Sequence, residues 1–231
     1  MKPVDPPGLD TDLRLKALLA ALHLASPALP VGGFAYSQGM EMAIADGVVT
    51  DAATAQRWIE DLLLLVLARF EAPLWVRAFD AHRRADEHCL RALNAELLAA
   101  RETAELRVET QQMGASLTRL FGAFGIAAPD LAPVAYPVAF AIACNALGID
   151  REAGLAAYLW SWSENQVLAA VKTLPLGQQA GQSMLLGLHA SIARAVHIAT
   201  TLRDEELGSA AVAFAICSTR HESLYSRLYR S

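Results

Sequence analysis

Ala25-Ser26-Pro27-Ala28-Leu29-Pro30-Val31-Gly32-Gly33-Phe34-Ala35-Tyr36-Ser37-Gln38-Gly39-Met40-Glu41 is the stretch around which the chain is organised. Two prolines and two glycines fall between Pro27 and Gly33. Proline fixes φ and removes a backbone donor, whereas glycine permits positive φ and close backbone approach. A surface loop tolerates such residues, but it rarely also carries Leu29, Val31, Phe34 and Tyr36. The stretch therefore predicts a specified, partly buried turn that sets the first helix against the rest of the chain. A rigid helix-to-helix connector accounts for the same propensities.

Working outward, Asp12–Leu24 reads as a helix with Leu15, Leu18, Leu19 and Leu22 on one face. A second helix is expected from Phe34 or Tyr36 to Gly47. A third, capped by Thr50 or Asp51, runs through Trp58, Ile59, Leu62, Leu63, Val66 and Phe70. Its all-round apolar run Leu62–Leu67 suggests a central position, and Glu71-Ala72-Pro73 is expected to end it. Leu74–Ala100 reads as helix with a charged, solvated face. Arg101–Phe124 is the clearest amphipathic segment, with Glu102, Glu105 and Glu109 near its start, where the helix dipole favours acids. Pro133–Leu147, Arg151–Val171, a helix opened by Pro175, and Arg203–Cys217 complete the expected set.

Composition agrees. The 231 residues are 54% hydrophobic and 7% aromatic, with few stretches of β-branched residues, which favours helices over strands. The expectation is one all-α domain of nine or ten helices over residues 12–217, behind a disordered Pro/Gly-containing lead over 1–11 and ahead of a distinct tail over 218–231. A net charge of −5 argues against a nucleic-acid binder. Three widely spaced cysteines without zinc spacing read as reduced, cytosolic thiols. The charge-free run Leu131–Ile149 contains Pro133, Pro137, Asn145 and Gly148; it reads as a buried helix, with a membrane span as the rival.

Motifs for chemistry are weak. No Gly-Lys pair exists, so a P-loop is excluded. Ala35-Tyr36-Ser37-Gln38-Gly39 superficially resembles a nucleophile elbow, but that elbow needs a strand-to-helix turn and the context here is helical. His189 and His197 share a helical face about 12 Å apart, too far for one ion. His82, Asp86 and Cys89 could hold a metal weakly or form an exposed helix face. Asn165, Gln166, Gln178, Gln179 and Gln182 flank a Leu-Pro-Leu-Gly corner, where the amides could line a wet channel, bind a partner backbone, or simply cap a corner. In the tail, Leu224/Leu228 and Tyr225/Tyr229 form i, i+4 pairs among Arg220, Arg227 and Arg230. Such a segment either orders on a partner or is a frayed helix packed on its own domain.

Four stretches together resemble the UreF family of urease accessory proteins. They are Ser26–Glu41, Glu109–Leu117, Asn165–Gln182 with its Pro-Leu-Gly-Gln core, and the tail Arg220–Ser231. The tail departs mildly, with Ser223, Leu224 and Tyr229 where Thr, Gln and Phe are expected. The resemblance implies an all-α, dimerising protein that is not itself an enzyme and carries no cofactor. It implies a bridge between UreD (also called UreH) and the GTPase UreG, which act together on apo-urease so that nickel reaches a carbamylated lysine. It assigns UreD docking to Arg220, His221, Tyr225, Arg227, Leu228 and Arg230. It points to Tyr36, Ser37, Gln38 and Glu41 as a surface beside UreG, and to Lys172 and Gln178 for that surface or a nickel passage. A cytoplasmic, non-membrane location is expected from the reduced thiols and the buried-helix reading of Leu131–Ile149.

Overall fold

Residues 7–209 and 211–231 are described by a computed structural model, and among them every regular element is helical. The α-helices are α1 (Pro7–Ala25), α2 (Met40–Ala45), α3 (Ala52–Leu65), α4 (Glu71–Arg83), α5 (Glu87–Ala99), α6 (Ala104–Phe124), α7 (Tyr136–Ala146), α8 (Arg151–Thr173), α9 (Gln178–Thr201) and α10 (Val212–His221). Short 3-10 turns occur at Gly33–Ala35, Leu67–Arg69 and Asp204–Glu206.

Local chemistry sets most boundaries. Asp51 and Thr54 form a reciprocal capping box at α3, while Asp86, Thr103 and Asp150 cap α5, α6 and α8 through side-chain oxygens. Gly125 ends α6 in the left-handed conformation. The first helix begins at Pro7, five positions ahead of expectation, because proline is tolerated in a first helical turn. Of the expected lead, residues 1–6 lie outside the described residues.

The centre is α7, whose residues Tyr136–Cys144 are all buried, packed between α4, α6 and α8. The seam with α6 is closed at Gly114, where a Cβ would lie 2.0 Å from the Val134 carbonyl oxygen. Asn94 of α5 pins the approach to α7, donating to Pro133 O at 2.9 Å and accepting from Ala135 N at 2.8 Å. No helix among the described residues is long and apolar enough to cross a membrane, and the Leu131–Ile149 run holds the eleven-residue α7.

Several sequence expectations give way. No helix starts at Phe34 or Tyr36: a 3-10 turn and an extended Tyr36 intervene, and α2 begins at Met40 after Gly39 at φ 78°. α3 stops at Leu65, and Glu71-Ala72-Pro73 opens α4 rather than closing α3, since proline fits a first turn. Nor is α3 the centre, as Leu65 is exposed. The Leu74–Ala100 segment is cut by a turn at Arg84–Asp86, with Ala85 at φ 54°. Its first half is largely buried, and Arg77 and Asp80 are engaged in ion pairs. The later helices start at Tyr136 and Gln178 rather than Pro133 and Pro175, and Arg203–Cys217 becomes a 3-10 turn, a connection and α10. The leucine face of α1 is not core: Leu15, Leu18, Leu19 and Leu22 are each more than half exposed.

Candidate functional site

The proline-glycine stretch makes an unusual turn. Gly32 (φ 84°), Gln38 (φ 49°) and Gly39 (φ 78°) occupy the left-handed region, which aims consecutive backbone N–H groups in one direction. Ser37 N and Gln38 N both donate to the Ser231 carbonyl oxygen, at 2.7 and 3.0 Å. The Ser37 hydroxyl donates to the same oxygen at 2.7 Å. Arg230 N donates to Ala35 O at 2.9 Å, so the end of the chain lies along the signature turn.

One helical turn onward, Glu41 is buried and faces the tail. It accepts from Leu228 N at 2.7 Å and Tyr229 N at 3.1 Å. His221, fully buried at the end of α10, sits between two carboxylates: Nε2 is 3.1 Å from Glu41 and Nδ1 is 2.7 Å from Glu105 of α6. Arg227 pairs with Glu105, and Arg220 with Asp46 just after α2. Lys172 of α8 lies over the Tyr229 ring, 5.2 Å from its centroid.

Beneath the tail the polar contacts continue inward. The Ser231 hydroxyl donates to Glu109 at 2.7 Å, and Gln38 Nε2 donates to the same carboxylate at 2.6 Å. Trp162 Nε1 donates to Gln38 Oε1 at 2.6 Å, and the Tyr36 hydroxyl to Gln112 at 2.7 Å. A small cavity of about 40 Å³ lies below, lined by Gln38, Glu71, Glu109, Tyr158 and Gln166 among others. Its floor is the buried pair of Glu71 with Arg101, and Tyr158 donates to Glu71 at 2.6 Å. Gln166 Oε1 and Arg101 Nε are buried without a protein partner, and the space suffices for a few waters. Burial pushes the Glu109 carboxyl up to about 7 and holds the Tyr158 phenol well above its ordinary value.

Ten of the twelve candidate residues thus meet on one face: Tyr36, Ser37, Gln38, Glu41, Lys172, Arg220, His221, Arg227, Leu228 and Arg230. The two surfaces expected from the sequence meet in one seam, in which Tyr36, Ser37, Glu41 and His221 are buried against the chain's own tail and helices rather than exposed. Gln178 stands apart, exposed at the start of α9, and Tyr225 is fully exposed beyond the contacts. Beyond His221 the tail is not helical, so the i, i+4 pairs do not form; Tyr229 and Ser231 are buried against the chain's own domain. Sequence reasoning missed Glu105, Glu109, Gln112, Asp46 and Trp162 as members. Glu105 and Glu109 were visible as acids four apart on α6, but they pointed only to a helix dipole.

The arrangement holds a backbone segment. Ser37 is fully buried with its hydroxyl committed to Ser231, and no base contacts it. Burial raises the Cys144 and Cys217 thiols, which keeps them protonated. No group of three metal-ligating side chains occurs among the described residues. His82 pairs with Asn145 at 2.8 Å, and Asp86 caps α5. The amide cluster divides: Gln166 lines the cavity, whereas Gln178, Gln179 and Gln182 are exposed.

The UreF family model matches residues 49–189. The "Urease accessory protein UreF" of Cupriavidus metallidurans is 49% identical over 227 residues, covering 94% of this chain and 99% of the relative. A protein of the same name from Delftia acidovorans is 45% identical over 236 residues, covering 95% and 99%. The "Bifunctional urease accessory protein UreEF" of Bordetella bronchiseptica is 48% identical over 227 residues, covering 93% of this chain and 52% of the relative.

Proposed function

The chain belongs to the UreF family of urease accessory proteins, and we propose that it acts as a non-enzymatic adaptor in urease maturation. In this reading it bridges UreD (UreH) and the GTPase UreG, so that nickel reaches apo-urease as GTP is hydrolysed. The observation that carries the reading is the convergence of tail and signature turn on one face. Buried polar anchors fix the tail's backbone, which leaves Tyr225, Leu228 and Arg227 exposed for a partner. Exposed tyrosine and arginine on a rigid support are what protein interfaces concentrate. The fused relative, named for two accessory functions, supports close work with other maturation proteins. The exposed leucines of α1 support the homodimer, since contiguous apolar stripes mark association surfaces.

The test is co-purification with UreD and UreG from the same source, by size exclusion with light scattering. Ser218 and His221 are buried, so a deletion must begin at Glu222 to spare α10. A stable assembly lost on removing 222–231, and lost again in Tyr225→Ala, is the expected result. Full-strength binding by both variants would reject the tail as the contact.

A further inference from the structure

We propose that His221 is a protonation-dependent latch for the C-terminal tail, docking residues 222–231 while its ring carries two protons and loosening them when it carries one. The ring is wholly buried, and its two nitrogens face carboxylates from different helices, Glu41 of α2 at 3.1 Å and Glu105 of α6 at 2.7 Å. A neutral imidazole has one donor and one acceptor, so only the imidazolium donates to both. With one proton gone, a ring lone pair confronts a carboxylate lone pair inside a closed site. An unmade hydrogen bond to a charged group is costly there.

The same two carboxylates hold the tail. Glu41 receives the Leu228 and Tyr229 amides, and Glu105 receives Arg227. Any movement of either carboxylate away from a deprotonated ring is therefore a movement of the tail's own anchors. Glu41, Glu105 and Arg227 are the charged groups in this immediate arrangement. Around them lie the Arg220–Asp46 pair, Lys172 over Tyr229, and Glu109 on the Ser231 hydroxyl. Glu109 acts in the same direction as the latch: burial pushes its carboxyl up to about 7, so the buried form holds a proton and its contribution weakens as pH rises through that interval. Only the doubly protonated ring satisfies both carboxylates at once, so the tail's anchors are complete in that form and incomplete in the neutral one. The latch concerns the tail's grip on its own domain, and it stands or falls apart from which partner binds there.

Amide hydrogen exchange on the full chain tests it, read at Leu228 and Tyr229 between about pH 5.5 and about pH 8.5, a range that spans imidazole titration. Phe140 in the middle of α7 serves as the reference for global opening. After correction for intrinsic exchange, tail protection relative to Phe140 is expected to fall about tenfold or more as pH rises, the size of one charge-assisted bond. In His221→Gln, which has no titrating ring, that fall disappears. In Glu109→Gln it persists. A wild-type tail whose protection ignores pH overturns the proposal, as does an unchanged pH dependence in His221→Gln. Where His221→Gln fails to fold, ring 15N shifts of the wild type decide. Two protonated nitrogens with the tail docked support the latch; a single neutral tautomer with the tail docked overturns it.

Discussion

Where α6 meets the approach to α7, Gly114 sets one backbone against another, amid buried apolar side chains and uncharged threonine hydroxyls. Where the tail meets the signature turn, burial is just as deep, but carboxylates, an imidazole and backbone amides do the holding. The first contact is dispersion and apolar burial, which is insensitive to pH and felt by the whole fold. The second depends on counting donors against acceptors, so one proton or one oxygen changes it. Tyr229 and Leu224 are the tail's apolar contribution to the core, and the rest of its hold is polar.

The largest expected effect tests the apolar side. Gly114→Ala places a methyl against the Val134 carbonyl, and backbone cannot yield as a side-chain tip can. Urea unfolding should show a loss of about 3 kcal/mol. A loss below about 1 kcal/mol would mean that the helices slide apart freely and the seam is not close-packed.

Glu41→Gln tests the polar side. It leaves one acceptor oxygen where two serve Leu228, Tyr229 and His221. Tail amides should lose about 2 kcal/mol of protection, while the urea midpoint moves much less. If the two fall together, the tail and core are one cooperative unit and the contrast between them fails.

Glu109→Gln sharpens the comparison through pH. The ordinary carboxyl value is 4.5, and the folded value is about 7. Across that interval the native protein holds a proton the unfolded chain has released. Wild-type stability therefore falls as pH rises from about 4.5 to about 7, and this group adds no further slope above. Removing the group should flatten that decline by on the order of 1–2 kcal/mol, read from denaturation at each pH. An identical slope in the variant would place the titration elsewhere. The smallest stability effect is Tyr225→Ala, expected to stay within about 0.5 kcal/mol because the side chain touches nothing.

Much of the helical order was readable because capping residues and turn-formers are local signals. Asp51, Thr103, Gly125 and Asp150 sit at boundaries that their chemistry specifies. Among the boundaries missed, three lie at prolines. Pro73, Pro133 and Pro175 each admit either the end of one element or the approach to the next, and tertiary packing chose. Of the site, the signature and the tail were readable as motifs, and Lys172 as a neighbour of a polar corner. Glu109 was visible as an acid near a helix start and as the first residue of one resembling stretch, but its burial was not, since nothing local distinguishes an exposed carboxylate from one that burial pushes up to about 7.

Composition, periodicity and caps by themselves determined an all-α chain, and four ordered motifs pointed to its family. Only the tertiary structure decided that tail and signature meet in one seam. Glu41 and Leu228 lie 187 positions apart, and the donor between them is a backbone amide with no side-chain signature. Periodicity likewise marked the leucine face of α1 but could not say what covers it, because an apolar stripe records a need for burial and not the partner that meets it.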